Sequence, residues 1–230
     1  NSAPFDNYDL RMALKYAIND QLDVGLFLNQ PYGANAAYAQ GPYTGIEAEW
    51  ESNQIAVVLK YQLNDNVSVF GGARSVESTA TIQLPNPANP TPAGIYTATT
   101  EANRQNGLIA GAAYERKDIA LRVALTYEQG MTHDFATTEA VGGTTVLESV
   151  TEIEIPQAIT LDFQTGVAPG TLVFGSIRWA EWSVWEVAPA AYAAQNGGAR
   201  VTGIDNDVTT FRLGVGRQIN DNLSVFGRIT

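Results

Sequence analysis

Apolar and polar residues alternate along much of this chain. Leu10, Met12, Leu14, Tyr16 and Ile18 are separated by Arg11, Ala13, Lys15 and Ala17. Ile55, Val57, Leu59, Tyr61 and Leu63 are separated by Ala56, Val58, Lys60 and Gln62. Ile119, Leu121, Val123, Leu125 and Tyr127 follow the same rule around Ala120, Arg122, Ala124 and Thr126, as do Phe211, Leu213 and Val215 around Arg212 and Gly214. A period of two predicts strands with one apolar and one polar face.

The strands recur with a turn signal between them. Tyr61-Gln62-Leu63-Asn64-Asp65-Asn66-Val67-Ser68-Val69 is echoed by Arg217-Gln218-Ile219-Asn220-Asp221-Asn222-Leu223-Ser224-Val225 and by Tyr16-Ala17-Ile18-Asn19-Asp20-Gln21-Leu22-Asp23-Val24. Weaker copies turn at Lys117-Asp118 and Pro169-Gly170. Turns therefore start near 19, 64, 117, 169 and 220, in steps of 45, 53, 52 and 51 residues. Asn and Asp suit such turns because their side chains bond the following main chain and they tolerate left-handed backbone. Each period holds two strands, a tight turn and a long connection, so five turns imply ten strands.

Strands of about nine residues with one apolar face suit a tilted crossing of a ~25 Å apolar layer. The connections are asymmetric: tight turns at one end, and at the other long stretches over 30–54, 75–106, 129–156 and 184–207. Short periplasmic turns opposite long extracellular loops mark an antiparallel transmembrane β-barrel in the outer membrane of a Gram-negative bacterium. The competing fold is a soluble β-sandwich. Tyr16, Tyr61 and Tyr114, each three residues before a turn, read as an interfacial aromatic girdle. Trp179 reads as the girdle at the other interface, and Trp182 as either girdle or the wall of an apolar ligand path. The connection 75–106, with Pro85, Pro87, Pro90 and Pro92, reads as an extended polyproline-like excursion.

Composition removes other classes. A net charge of −11 argues against a nucleic-acid partner, and no apolar run is long enough for a membrane helix. There is no cysteine and one histidine, His133, in an expected outer loop; it reads as a surface residue, since no nucleophile elbow or metal-ligand spacing accompanies it. No enzyme and no cofactor are expected. The first residues lack a signal-peptide pattern and the last lie within a strand pattern, so 1–230 reads as one barrel domain truncated at both ends.

Strand parity places Arg11, Lys15, Lys60, Arg74, Arg122, Arg178, Arg212 and Arg228 on the lumen face. Two readings stand. The cations are paired with lumen carboxylates such as Asp23 and Asp162, because unpaired charge avoids lipid; or they form a cationic wall that contacts an anionic or carboxylate permeant. Acidic residues gather in the long connections: Glu47, Glu49, Glu51, Asp134, Glu139, Glu148, Glu152, Glu154, Asp205 and Asp207. They are candidates for divalent cations held beside lipopolysaccharide, which with outer-membrane lipid is the expected surrounding.

The stretch Ile155-Pro156-Gln157 through Gly166, then Pro169-Gly170 and Gly175-Ser176-Ile177-Arg178-Trp179-Ala180-Glu181-Trp182-Ser183, resembles the FadL/TodX-type family of outer-membrane long-chain fatty-acid transporters. The resemblance implies a fourteen-stranded barrel, of which about ten strands are covered here, plugged by an N-terminal hatch. It implies passive, ligand-gated transport of long-chain fatty acids or other hydrophobic small molecules, released laterally through the wall. The hatch is not in this sequence, and Asn86-Pro87-Ala88 is not its Asn-Pro-Ala start. The alternative function is a general porin for small hydrophilic or anionic solutes.

Overall fold

The computed structural model describes residues 11–38, 40, 44–86, 88–89 and 91–230. Leu10, Pro87 and Pro90 lie outside the described residues. The strands are β1 (Met12–Ala17), β2 (Leu22–Asn29), β3 (Gly33–Ala37), β4 (Glu47–Gln62), β5 (Val67–Leu84), β6 (Tyr96–Thr100), β7 (Asn103–Arg116), β8 (Leu121–Glu128), β9 (Met131–Val141), β10 (Thr144–Ile155), β11 (Ala158–Ala168), β12 (Thr171–Ala180), β13 (Glu186–Val187), β14 (Thr202–Gly203), β15 (Val208–Asn220) and β16 (Leu223–Ile229). One short helix, α1, covers Ala190–Gln195. No helix among the described residues is long and apolar enough to cross a membrane.

Ten strands form the wall, ordered β1-β2-β4-β5-β7-β8-β11-β12-β15-β16, each antiparallel to its neighbours. The wall is open, with β1 and β16 at the ends of the path. The five tight turns are where the repeat puts them, and the repeated asparagine builds three of them. Asn19 Oδ1 accepts the amides of Gln21 and Leu22, each at 2.9 Å. Asn64 Oδ1 does the same for Asn66 and Val67, and Asn220 Oδ1 for Asn222. The other two turns use left-handed backbone instead, at Ala120 (φ 50°) and Gly170 (φ 67°).

Pairing carries the two-residue period across the sheet. Leu26 faces Val57, Leu59 faces Val24, Leu125 faces Leu161 and Phe211 faces Ile177, all on one surface. All but Val24 and Leu161, which are partly covered, are exposed, as a lipid-facing belt is when lipid is not counted. The opposite face carries Lys15, Ala56, Arg74, Thr126, Arg178 and Arg212.

Much of the first three long connections is further strand, whereas 184–207 holds only the short pair β13–β14 and helix α1. β4 has 16 residues and β5 has 18, whereas a tilted crossing of the apolar layer takes about ten. Their upper parts, including Glu47, Glu49 and Glu51, continue as sheet beyond the apolar belt. The polyproline reading of 75–106 is corrected: residues 75–84 belong to β5 and 96–100 to β6, leaving only a short excursion with a 3₁₀ turn at Pro92–Gly94. The stretch 129–156 is likewise a hairpin, β9–β10, tipped by Gly142 (φ 58°) and Gly143 (φ 78°). Tertiary context decides this, since outside lipid a strand needs only a neighbour and an apolar face to pack.

β9 and β10 prolong β8 and β11, but with a break. Gln129-Gly130 separates β8 from β9, and Pro156-Gln157 separates β10 from β11. Proline cannot donate to a ladder. A Cβ on Gly130 would sit 3.0 Å from both Gln157 N and Ile155 O, so glycine lets the two breaks lie against each other without displacing that backbone. Above the break β9 pairs with β6, which pairs with the top of β5. The hairpin leans over the inner face of the wall and packs Met131, Phe135, Ile153 and Ile155 against Trp50, Val76, Ala80 and Ile82. Trp50 meets Phe135 edge-on at 5.6 Å. This cap has a dry core of its own, apart from the lipid-facing belt.

The segment 181–207 closes over the cap through one buried carboxylate. Glu139 accepts the amides of Ala191 and Tyr192 at the start of α1, at 2.8 and 2.9 Å, and the Tyr96 hydroxyl at 2.6 Å. Glu139 is therefore not available for a cation at the surface, which corrects its place among the solvent-facing acidic residues.

Two outcomes test this architecture. Leu125→Arg, on the outward face, should cost roughly 2–4 kcal/mol of stability in urea titrations in lipid vesicles, while Thr126→Arg, on the inward face, should change little. Glu139→Ala should expose 181–207 to external protease in intact membranes while the wall keeps its heat-modifiable mobility on gels.

Candidate functional site

The inward face carries its cations in groups, each organised by a carboxylate. Lys15 Nζ lies 2.9 Å from Asp23. Lys60 and Arg122 share Glu115 Oε1, at 3.7 and 3.1 Å. Arg74 and Arg178 share Glu128, Arg74 at 3.3 Å from Oε1 and Arg178 on Oε2. Arg178 also bonds Thr160 Oγ1 at 2.9 Å. Five of the seven cations chosen as carboxylate contacts, Lys15, Lys60, Arg74, Arg122 and Arg178, are thus held by carboxylates of the wall.

The partners differ from those expected. Asp23 does pair, but Asp162, although inward, forms no ion pair among the described residues. Glu115 and Glu128 take the role, and strand parity could have found them: each follows an outward tyrosine, Tyr114 and Tyr127, and so points in. Arg11 lies at the start of the described wall, and Arg212 faces inward opposite Ser176 on β12. Arg74 requires a correction of a different kind. Its side chain is fully enclosed, so its guanidinium faces protein rather than the cavity.

Below Glu128 the concave side of β1, β2, β4, β5, β7 and β8 holds a cavity of about 990 Å³ lined by Lys15, Asp23, Lys60, Phe70, Glu115, Arg122 and Glu128 among others. Above it, beneath the cap, is a smaller and almost wholly apolar pocket of about 280 Å³. Its walls are Pro31, Tyr32, Gly33, Ala34, Trp50, Ile155, Pro156, Trp182, Trp185 and Ile204. Trp182 stands edge-on to Tyr32 at 6.0 Å and to Trp185 at 6.4 Å. Sequence order hid this pocket, because its rings come from β4, from the segment after β12 and from the residues before β3. The only signal was the Trp179/Trp182/Trp185 spacing.

The two outer tryptophans diverge. Trp179 is on β12 and faces outward, in one row with Ile159 and Tyr127. Trp182 sits past the strand end in a 3₁₀ turn and lines the apolar pocket. Tyr16, Tyr61 and Tyr114 face outward near the tight turns and are well exposed.

A notch opens in the wall where the hairpin departs. β7 pairs with β8 only from Ile109 to Arg116, so Asn103–Leu108 lose their strand partner on that side. Gln129 covers the first step, its amide donating to Leu108 O at 2.9 Å and its Oε1 accepting Leu108 N at 3.1 Å. Beyond it lies a polar recess of about 450 Å³ lined by Asn106, Tyr127, Gln129, Thr132, Glu154, Gln157 and Glu181 with their neighbours. Tyr127 donates to Gln157 Oε1 (2.9 Å), and Gln157 Nε2 donates to Glu181 (2.8 Å).

His133 is not a surface residue. It lies on β9, buried, stacked on Phe135 at 5.2 Å with Nδ1 3.0 Å from Asn103 Oδ1. Burial holds its imidazole below the usual histidine range, with the Asn103 contact opposing. Its Nε2 has no hydrogen-bond partner among the described residues. Among the described residues no group of three or more His, Cys, Asp or Glu side chains is placed to hold a metal ion, so the acidic connections do not form a divalent-cation cluster there.

Comparison with solved structures places this architecture. The chain is similar to a FadL homologue of Pseudomonas aeruginosa (TM-score 0.67, 15% identity, covering 91% of this chain and 56% of that one). It is similar to the toluene transporter TodX of Pseudomonas putida (TM-score 0.62, 12% identity, 96% and 67%). The translocator domain of the autotransporter NalP of Neisseria meningitidis also matches (TM-score 0.54, 11% identity, 94% and 70%), so shape alone reports an outer-membrane barrel wall. The chain spans little more than half the length of the P. aeruginosa protein. No curated protein matches it significantly. Sequence carries the assignment further than shape does: residues 10–226 match the outer membrane protein transport proteins (OMPP1/FadL/TodX), and the chain belongs to that family.

Proposed function

We propose that this protein carries hydrophobic small molecules, long-chain fatty acids among them, through the outer membrane by passive, ligand-gated diffusion. The observation that carries the reading is the apolar pocket under the cap, walled by Tyr32, Trp50, Trp182 and Trp185. Rings in a dry pocket stabilise an apolar guest by removing its surface from water, about 25 cal/mol for each Å². Family membership supports the same reading.

The charges below the pocket suit an amphiphile. Arg178 is one-third exposed and occupied on one side by Glu128 and Thr160. Its remaining donors are the natural contact for a carboxylate head whose tail lies among the rings. Arg122, Lys60 and Lys15 continue the same chemistry down the inner wall, with Arg11 and Arg212 on the same face. Where one carboxylate serves two cations, at Glu115 and Glu128, one cation can turn to a ligand carboxylate while the other keeps the protein carboxylate paired. Lateral release follows at the notch, at the height of the Tyr127–Trp179 row, where a departing headgroup meets amides and carboxylates. Tyr16, Tyr61 and Tyr114 anchor the opposite interface. Lipopolysaccharide surrounds the upper rim, where Glu47, Glu49 and Glu51 point outward.

Planar-bilayer conductance of the full-length protein, with and without oleate, tests the proposal. Low conductance with saturable oleate binding is the expected result. A large, steady conductance indifferent to oleate would establish an open porin instead. Trp182→Ala should weaken oleate binding by about tenfold or more, since truncating an aromatic hot-spot anchor costs about 2 kcal/mol or more. Trp179→Ala, on the lipid side, should leave it unchanged.

A further inference from the structure

We infer that Arg74 is the positioning residue that sets the break in the wall and the floor of the aromatic pocket together. The inference rests on the transport reading for its functional meaning, but not for its geometry.

Three contacts define it. Nη2 donates to Gln129 O at 2.7 Å, at the break itself. Nη1 reaches Glu128 Oε1 at 3.3 Å, in the wall of the lower cavity. The same nitrogen lies 3.4 Å from the Tyr32 hydroxyl, in the wall of the apolar pocket. One enclosed side chain therefore touches all three parts of the route. The sequence makes room for it opposite, at Gly107 on β7. A Cβ there would meet the Met131 methyl at 2.9 Å, Gln129 O at 3.4 Å and Arg74 Nε at 3.6 Å.

Charge balance does not account for Arg74, because Glu128 is already neutralised by Arg178. The shortest of the three contacts goes to a main-chain carbonyl at the residue where the β7–β8 ladder ends. A planar guanidinium can serve a carbonyl, a carboxylate and a phenol at once in fixed directions; an ammonium cannot. Arg74 thus fixes where the hairpin leaves the wall, and with it the notch, while holding Tyr32 against Trp182.

The test uses the full-length protein on a cysteine-free background, with Thr132→Cys reporting on the notch through its rate of maleimide labelling. Loss of a buried hydrogen bond to a charged group changes an opening equilibrium by about tenfold or more. Arg74→Met should shift the labelling rate by that factor in protein that still assembles as a heat-modifiable barrel, and should lower oleate binding. Arg74→Lys should remain shifted, because it keeps the charge but not the three directions. Arg178→Met should label like the parent. Parental labelling in assembled Arg74→Met, or an equal shift in Arg178→Met, would overturn the assignment. If Arg74→Met does not assemble, Arg74→Lys decides: parental labelling overturns the inference and a shifted rate supports it. Labelling involves no cargo. A shifted rate in a protein that binds no hydrophobic compound would therefore sink the transport reading and leave the role of Arg74 standing.

Discussion

Inside the hydrocarbon layer a peptide group has no water to bond, and each one left unpaired costs several kcal/mol. Within the wall this constraint is met by antiparallel ladders, from β1 beside β2 to β15 beside β16, with the outer edges of β1 and β16 unpaired in the ladder. The ladder dictates the rest of the wall. Side chains must alternate between lipid and lumen, because the pleat allows nothing else. Apolar residues hold one face and Lys15, Lys60, Arg74, Arg122, Arg178 and Arg212 the other, while Arg104, Arg116 and Arg217 share the outward parity only toward the strand ends. The turns must be short at one end, and the asparagine side chains that accept following amides let three of them close without glycine.

The inner face solves a second problem, that of keeping charge in a confined space. A single carboxylate serves two cations at Glu115 and again at Glu128. Such sharing holds long side chains along the wall and leaves a modest excess of positive charge there. Arg178 stays one-third exposed, whereas Arg74 is sealed. Two residues of one type, on one carboxylate, are thereby given different tasks by burial alone.

Above the apolar belt the constraint relaxes, and the chain behaves as a soluble protein would. β9 and β10 depart from β8 and β11 because Pro156 interrupts one ladder and Gly130 permits the close approach that the bend needs. The hairpin then packs an ordinary apolar core against β4 and β5. Glu139, buried on β9 against the start of α1, fastens the segment carrying Trp182 and Trp185 to that core. The aromatic pocket is a by-product of this packing: its walls come from four separated parts of the chain.

The wall was legible because its physics is local. The two-residue alternation around Leu59 or Leu125, the Asn19, Asn64 and Asn220 turns and the inward parity of Lys15, Lys60, Arg122 and Arg178 each follow from residues a few places apart. Even Glu115 and Glu128 could be read by the same parity. The burial of the cap was not legible: Gly142-Gly143 between two alternating runs marks a hairpin within 129–156, but its polar His133 and Glu139 are buried only because distant residues, Asn103, Tyr96 and α1, come to meet them. The sequence by itself determined which residues face lipid and where the chain turns, because the pleat and the bilayer act on neighbours. Only the tertiary structure decided where the pocket, the notch and the enclosure of Arg74 lie, because each depends on how strands far apart in the chain are brought into register and bent.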